Sequence, residues 1–499
     1  MTIPVQSSDY FSVAGVTPLT TLAPGACVHI IGVGGVAMAQ LAVALSECGY
    51  RVSGSDKQLY EPMRSFLKGS AVQVAEQYSP NNISKDLDLV VIGNVVSYGH
   101  PEVMEVERLR IPYTLFPRCL YELIIQGRHS IVVSGTHGKS TTTGLLAVAL
   151  RFLGAKPSFF VGAALQGLER SLCIDGGAVS VVEGDEYDSA FFAKVPKFNF
   201  YKPQSLVVTA IEFDHADIYS SLEEIKQQFR ALIAAMPAGS LVACCLDDEG
   251  VREQLALWRS HPNAPRFVSY GVSKDADVRI VNCSYHDGFQ EVELFDSRRH
   301  KALNLQLQLA GLHNARNAAS TYIVLEDLGN DDPRIVEAIR SYRGAKRRQE
   351  IRFDQGACTL IDDFAHHPTA VRETIAAVRQ RFPGRRIRAV FEPRSNTSRK
   401  KVFQSEYVSA FATADEVVLS YVTPSVHDTA NDLLDVRELG QAIAHSGKPV
   451  QVLPDPAAIA EHLLSSLKKG DLLLIMSNGS FGGLVQTLAD RLPSAASSV

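Results

Sequence analysis

The apolar residues of this chain fall into short runs, each closed by a glycine-rich or acidic turn and followed by a stretch whose apolar positions return every three or four residues. A short apolar run fits a strand buried on both faces, and the period after it fits a helix, so the alternation predicts parallel α/β sheets. Residues 27–31 read as the first strand, Gly32-Val33-Gly34-Gly35 as a turn, and the segment to about Cys48 as a helix. Strands follow at 51–54, ending at Ser55-Asp56, and at 87–92, before Gly93-Asn94. The pattern restarts at 130–134, where Gly135-Thr136-His137-Gly138-Lys139-Ser140-Thr141 leads into a helical stretch to about Phe152. Residues 179–182 and 205–211 read as strands that deliver acidic or histidine residues to their C-terminal ends, where open α/β sheets bind ligands.

Between residues 277 and 309 the period changes to two, with a turn at His286-Asp287-Gly288, which predicts an antiparallel ribbon elaborating the central part. A basic stretch from Arg343 to Arg348 precedes a last α/β series with strands at 359–361, 387–391, 416–419 and 471–476. The tail from Pro493 is small and polar and is expected to fray. The expected fold class is α/β in three domains, with Rossmann-like domains over 1–127 and 345–499. Between them, 128–344 is expected to hold a P-loop ATPase-type parallel sheet with the antiparallel ribbon. The length of 499 residues exceeds what one core supports and agrees with that division.

Composition narrows the functional classes. Apolar content of 46% and charged content of 21% are those of a globular protein, and a net charge of −5 gives no overall attraction for nucleic acid. No apolar stretch reaches the roughly 18 residues of a membrane helix, and Met1 to Thr17 lack the basic and apolar regions of an export signal. Eight scattered cysteines without a C-x-x-C pair suggest neither a disulfide scaffold nor a zinc cage, and fit a cytoplasmic setting.

The strongest local chemistry lies at Gly135 to Thr141. A glycine turn feeding a helix aims backbone N–H groups at a phosphate, Lys139 adds a point charge, and Ser140 suits magnesium. Only two residues separate the glycines where a standard P-loop has four, so a tight turn with a surface lysine is the bland alternative. Glu183-Gly184-Asp185-Glu186-Tyr187-Asp188 gathers carboxylates at a strand end, as a metal-bound nucleotide would require or as a solvated acidic loop would allow. Glu212-Phe213-Asp214-His215-Ala216-Asp217 ends another strand and adds an imidazole.

Gly32, Gly34 and Gly35, with Ser55 and Asp56 after the next strand, suit a diphosphate. They match the dinucleotide fingerprint as well as a UDP-sugar site, so an NAD-dependent oxidoreductase is a competing reading. A GTPase-like switch is disfavoured, since no Asn-Lys pair could read guanine. Near the C-terminus, Asp362-Asp363-Phe364-Ala365-His366-His367-Pro368 lies between a strand and a helix. Adjacent histidines more often diverge than chelate, so a loop leading into a helix competes there with a metal site. Arg394 offers a fork for a carboxylate, and Asn314 begins a helix where a capping role is the ordinary one.

Taken in order, the first glycine turn, Gly-Thr-His-Gly-Lys-Ser, Glu183, His215, His313-Asn314, Arg347-Arg348 and Asp362-Asp363 resemble the Mur ligases over nearly the whole chain after about Pro24. The resemblance implies an ATP-dependent, magnesium-requiring amide-bond ligase acting on a UDP-muramic acid precursor, as a monomer or weak homo-oligomer. By the same resemblance Asn314, Arg348 and Asp363 contact ATP beside Gly135 to Thr141. Lys139, Glu183, His215 and His366 are then the catalytic residues, Arg394 and Asn396 bind the amine substrate, and Ser140, Glu183 and His215 hold magnesium. The segments from Gly93 to Pro101, Asp185 to Phe192, Glu212 to Asp217 and Glu392 to Thr397 resemble the branch that adds a preformed L-alanyl-γ-D-glutamyl-meso-diaminopimelate tripeptide. Phe364-Ala365 stands where the branch adding L-alanine to UDP-N-acetylmuramate typically carries Tyr-Gly. His100 replaces a usual asparagine, and Ser140 a common threonine.

Overall fold

A computed structural model describes residues 10–355, 358–424 and 432–496. The strands form three principal sheets. The N-terminal sheet comprises β1 (Cys27–Ile31), β2 (Arg51–Ser55), β3 (Gln73–Ala75), β4 (Leu89–Ile92) and β5 (Tyr113–Leu115) in the order β3-β2-β1-β4-β5. All its pairings are parallel. This is the Rossmann-like arrangement expected, with the glycine turn after β1 feeding the helix Val36–Glu47.

The central strands are β6 (His129–Ser134), β7 (Ser158–Phe160), β8 (Leu172–Cys173), β9 (Val179–Gly184), β10 (Asp188–Ala190), β11 (Ala193–Pro196), β12 (Ser205–Val208), β13 (Leu241–Cys245), β14 (Arg266–Gly271), β15 (Val278–His286), β16 (Phe289–Asp296) and β17 (Lys301–Leu307). Ten of them form one mixed sheet, ordered β17-β16-β15-β14-β13-β12-β6-β9-β7-β8, while β10 and β11 make a small hairpin. β15, β16 and β17 are antiparallel neighbours, the ribbon expected from the alternating pattern. The C-terminal sheet has β18 (Glu350–Asp354), β19 (Cys358–Asp363), β20 (Arg386–Phe391), β21 (Glu416–Ser420), β22 (Val450–Leu453) and β23 (Asp471–Met476), ordered β18-β19-β23-β20-β21-β22.

By compactness the chain forms two units. One comprises Met1–Ile211, Ile225–Cys244 and Asp248–Val268; the other comprises Glu212–Glu224, Cys245–Asp247 and Ser269–Val499. In the first, an apolar cluster beneath the N-terminal sheet joins Phe11, Ile31, Val90, Ile92, Val103 and Tyr113, with Phe191 and Phe192 packed against it. In the second, alternate residues of the C-terminal strands enter opposite cores. Ile361, Ile387 and Leu472 go to one face, while Leu360, Val390 and Leu473 go to the other. Helices cover both faces, which is why these strands read as continuous apolar runs.

Three local expectations need correction. The apolar run to Ile211 stops being strand at Val208, because the backbone from Thr209 turns to bond the glycine loop, with Thr209 N–H donating to Ser134 and Ala210 C=O accepting from Thr136. Asp362 and Asp363 are the last residues of β19, not a loop after it. The tail from Pro493 continues the final helix, Leu484–Ala496, although an interior proline lacks the N–H and its ring crowds the carbonyl four residues back. Among the described residues no helix is long and apolar enough to cross a membrane.

Candidate active site

β6 and β9 run parallel, with Val133 beside Glu183 and Ser134 beside Gly184, so the glycine turn and the acidic segment leave the sheet at the same end. Gly135 has φ +129° and Gly138 φ +77°, conformations that side chains rarely adopt. At Gly135 a Cβ would also run into Thr209 and the backbone of Ala210, so this turn closes only around glycine. Gly138 caps the helix Lys139–Phe152, whose first turn holds Lys139, Ser140 and Thr141. The hydroxyl of Thr209 donates to the carbonyl of His137, tying the turn to the end of β12.

The side chains converge there. Ser140 Oγ donates to Glu183 Oε1 at 3.0 Å, and Glu183 Oε2 accepts from the Gly162 N–H at 2.7 Å. Lys139 Nζ donates to both oxygens of Glu186, at 2.9 and 3.1 Å, with Asp185 3.8 Å away. Burial would lower the ammonium's pKa, but Glu186, Asp185 and Glu183 together raise it, so Lys139 is firmly charged. A glycine turn at a helix N-terminus, a charged lysine, a hydroxyl and a carboxylate are the donor set a magnesium nucleotide needs. Glu186 shares the acidic motif read as a metal-nucleotide segment, but its spacing there carries no signal for the contact with Lys139.

The other glycine turn is shaped differently. The N–H groups of Gly32 and Val33 donate to the Ser55 carbonyl at 2.9 and 3.0 Å, and Gly34 N–H donates to Asp56 Oδ2 at 2.8 Å. A Cβ on Gly34 would stand 2.8 Å from that same oxygen. Gly35 caps the helix that follows. Ser55 is buried beneath the turn, donating to Glu102 at 2.5 Å, so its side chain braces the loop from behind. Asp56 also accepts from the Tyr78 hydroxyl at 3.3 Å.

In the second unit, Asp214 lies buried among His215, His366, His367 and Thr397. Burial would raise its carboxyl, but the three imidazoles and the Thr397 hydroxyl hold it below the usual carboxylate range. His215, at φ +56°, donates its own N–H to Asp214 at 2.7 Å. The adjacent histidines diverge. His366 Nδ1 meets the Phe364 carbonyl at 3.0 Å, whereas His367 caps the helix Pro368–Arg381 and reaches the Phe213 carbonyl at 3.3 Å.

Asn314 is not a helix cap. Gly311, at φ +103°, opens the helix Leu312–Asp327, and buried Asn314 donates back to the Ala310 carbonyl at 2.7 Å. Asp363 is committed to its own chain, accepting from Gln349 N–H at 2.7 Å and Ala365 N–H at 2.8 Å. The guanidinium of Arg348 stands 4.6 Å from the centre of the Phe364 ring, and that of Arg347 stands 5.3 Å from it. Arg394 is exposed and lies over Gly479, while Asn396 bonds Asp217 at 2.7 Å.

Family models match three consecutive stretches: a Mur ligase family catalytic domain over residues 27–128, a Mur ligase middle domain over 133–325, and a Mur ligase glutamate ligase domain over 346–479. A UDP-N-acetylmuramate–L-alanyl-gamma-D-glutamyl-meso-2,6-diaminoheptandioate ligase from Haemophilus influenzae is 32% identical, aligned over 93% of this chain and 99% of its own. The chain belongs to the Mur ligase family. As a Mur ligase it is an ATP-dependent ligase requiring Mg²⁺, and the oxidoreductase and GTPase readings fall away. A UDP-N-acetylmuramate–L-alanine ligase from Pelobacter propionicus is also 32% identical, over 93% of this Mur ligase and 98% of its own length. The crystal structure of a murein peptide ligase from Psychrobacter arcticus superposes with a TM-score of 0.69 at 28% identity, covering 95% of this chain and 99% of that one.

Proposed function

We propose that this Mur ligase joins L-alanyl-γ-D-glutamyl-meso-diaminopimelate to the lactyl carboxylate of UDP-N-acetylmuramate through an acyl phosphate, in cytoplasmic peptidoglycan recycling. The convergence of Lys139, Ser140 and Glu183 at the C-terminal ends of β6 and β9 is the observation that carries the reaction class. The tripeptide is favoured over L-alanine by Phe364-Ala365 and by the segments around Asn94 and Asp185 to Phe192. The two relatives named above are equally identical, so that likeness does not decide between the two amines.

In this reading residues 1–127 take the UDP-sugar at Gly32, Gly34, Gly35 and Asp56, with Ser55 supporting the turn. Residues 128–344 bind ATP, and 345–499 receive the amine. A carboxylate cannot expel oxide, so it must first be activated. The lactyl oxygen attacks the γ-phosphorus, and the bond to ADP breaks as the acyl–oxygen–phosphorus bond forms. Lys139 and the N–H groups of the His137–Ser140 part of the turn stabilise charge on the phosphate oxygens as they move. Ser140 and Glu183 would hold Mg²⁺, which when bound adds positive charge beside the phosphates, and the family resemblance assigns His215 to magnesium as well. The tripeptide's α-amine then attacks the carbonyl carbon, and phosphate leaves from the tetrahedral adduct as the amine proton is lost. Asn314, Arg348 and Asp363 are assigned to ATP, and His366, Arg394 and Asn396 to the acceptor side.

The test is mass spectrometry of UDP-linked products after incubation with Mg-ATP and UDP-N-acetylmuramate, with either the tripeptide or L-alanine. A tripeptide adduct supports the proposal. An alanine adduct alone moves the assignment to the alanine-adding branch, and no adduct with either amine removes the substrate assignment altogether.

A further inference from the structure

The four carboxylates between Glu183 and Asp188 do not share one environment. Glu183 is taken up by Ser140 and the Gly162 N–H. Asp185 accepts from Lys197 at 2.6 Å, and Asp188 from Lys194 at 2.7 Å. Glu186 instead reaches back to Lys139 with both oxygens, and its side chain is only 2% exposed against 12% for the lysine. The segment that carries Glu186 is pinned farther along, where the Asp188 carbonyl accepts from Asn94 at 3.1 Å and Phe191 and Phe192 pack into the aromatic cluster under the N-terminal sheet. Glu186 is therefore held beside Lys139 at a high and constant local concentration.

A phosphate that Lys139 is to bind must compete with this carboxylate for the same three ammonium donors. We propose that Glu186 is a positioning residue that acts through Lys139: a standing counter-anion that aims the ammonium and yields it to the terminal phosphate of the nucleotide. This inference rests on the phosphate-binding role assigned to Lys139. Two effects of opposite sign follow. The competition weakens nucleotide binding, while the aim it gives the lysine favours phosphoryl transfer, since misplacing a charge-stabilising group lowers the rate of the chemical step.

The experiment is calorimetric titration of the full-length protein with the magnesium complex of a non-hydrolysable ATP analogue, together with steady-state phosphate release. Glu186→Gln keeps the shape and removes the charge. It is expected to tighten analogue binding roughly three- to tenfold, the scale of losing one competing, partly desolvated ion pair, while lowering kcat. Glu186→Asp, too short for the two-oxygen contact, is expected to fall between the parent and Glu186→Gln in both readouts. In a Lys139→Ala background the fall in kcat from Glu186→Gln should disappear, and any tightening that persists measures direct repulsion between the carboxylate and the phosphate. Analogue binding that is unchanged or weaker in both Glu186 variants would overturn the inference while leaving the role of Lys139 intact. Unimpaired binding by Lys139→Ala alone would overturn that role, and the inference with it.

Discussion

The hydroxyl of Ser140 donates to Glu183 at 3.0 Å, linking the first turn of a helix to the end of a neighbouring parallel strand. In the proposed reading these two oxygens are magnesium ligands. Ser140→Ala should raise the Mg²⁺ concentration needed for half-maximal phosphate release by on the order of tenfold, with little change in thermal stability. Titrating activity against Mg²⁺ checks this, and an unshifted midpoint would remove Ser140 from the ligand set.

Gly135→Ala tests the turn itself. At φ +129°, with Thr209 and Ala210 in the way of a Cβ, the substitution should cost about 1–3 kcal/mol in local strain and largely abolish nucleotide binding. Thr209→Val, which removes only the hydroxyl bonded to His137, should be milder on both counts. Denaturant unfolding and nucleotide titration of the two variants give the comparison. Equal effects would mean that the hydroxyl, not the backbone conformation, shapes the loop.

His29 sets a pH dependence. Burial pushes its imidazole down to about 4, against the opposing pull of Glu102. The unfolded chain therefore takes up the proton first as pH falls. Stability that is complete above roughly pH 6.5 is lost toward pH 4, at a rate approaching about 1.4 kcal/mol per pH unit within that window. His29→Gln should flatten this slope, and urea unfolding at pH 7.5, 6 and 5 would reveal it. Parallel curves for the two proteins would rule out His29 as the titrating group.

Arg388 is fully buried on β20, donating to Glu416 at 2.9 Å and Ser466 at 2.8 Å, with Asp471 at 3.5 Å. Arg388→Met should destabilise toward the lower end of about 3–5 kcal/mol, because Glu416 and Asp471 lose their buried partner and keep only the more exposed Arg386. Adding Glu416→Gln should recover part of the loss. Denaturant unfolding of the single and double variants measures both, and a single-variant loss below about 1 kcal/mol would mean that Arg386 alone compensates the two carboxylates.

Arg388 also marks where sequence reading stops. Apolar runs located β1, β6, β9, β20 and β23 to within a residue or two, since a strand covered on both faces leaves an unbroken apolar record. An arginine inside one of those runs gives no hint that its charge is met by Glu416 and Asp471 from neighbouring strands. The antiparallel ribbon was legible because a half-exposed strand alternates.

The candidate site was legible in the same uneven way. Residues that meet the glycine turn along adjacent strands, such as Glu183, could be placed from strand ends alone. Glu186, Thr209 and Asp214 could not, because their partners depend on how a turn folds back after its strand. Asn314 looked like a cap because helix-opening asparagines usually are. The glycine at 311 had already taken that position, at a φ that suits it.

The aromatic wall under the N-terminal sheet bears on how the chain is made. Phe11, Tyr98 and Tyr113 meet Phe191 and Phe192, which emerge from the ribosome long after β5 is complete. During synthesis the first sheet thus spends an interval with a sticky face uncovered, a window in which holdase chaperones would find a target. A fragment ending before residue 185 would keep that face bare permanently, so truncations meant to isolate the first sheet should retain the hairpin of β10 and β11 if they are to remain dispersed.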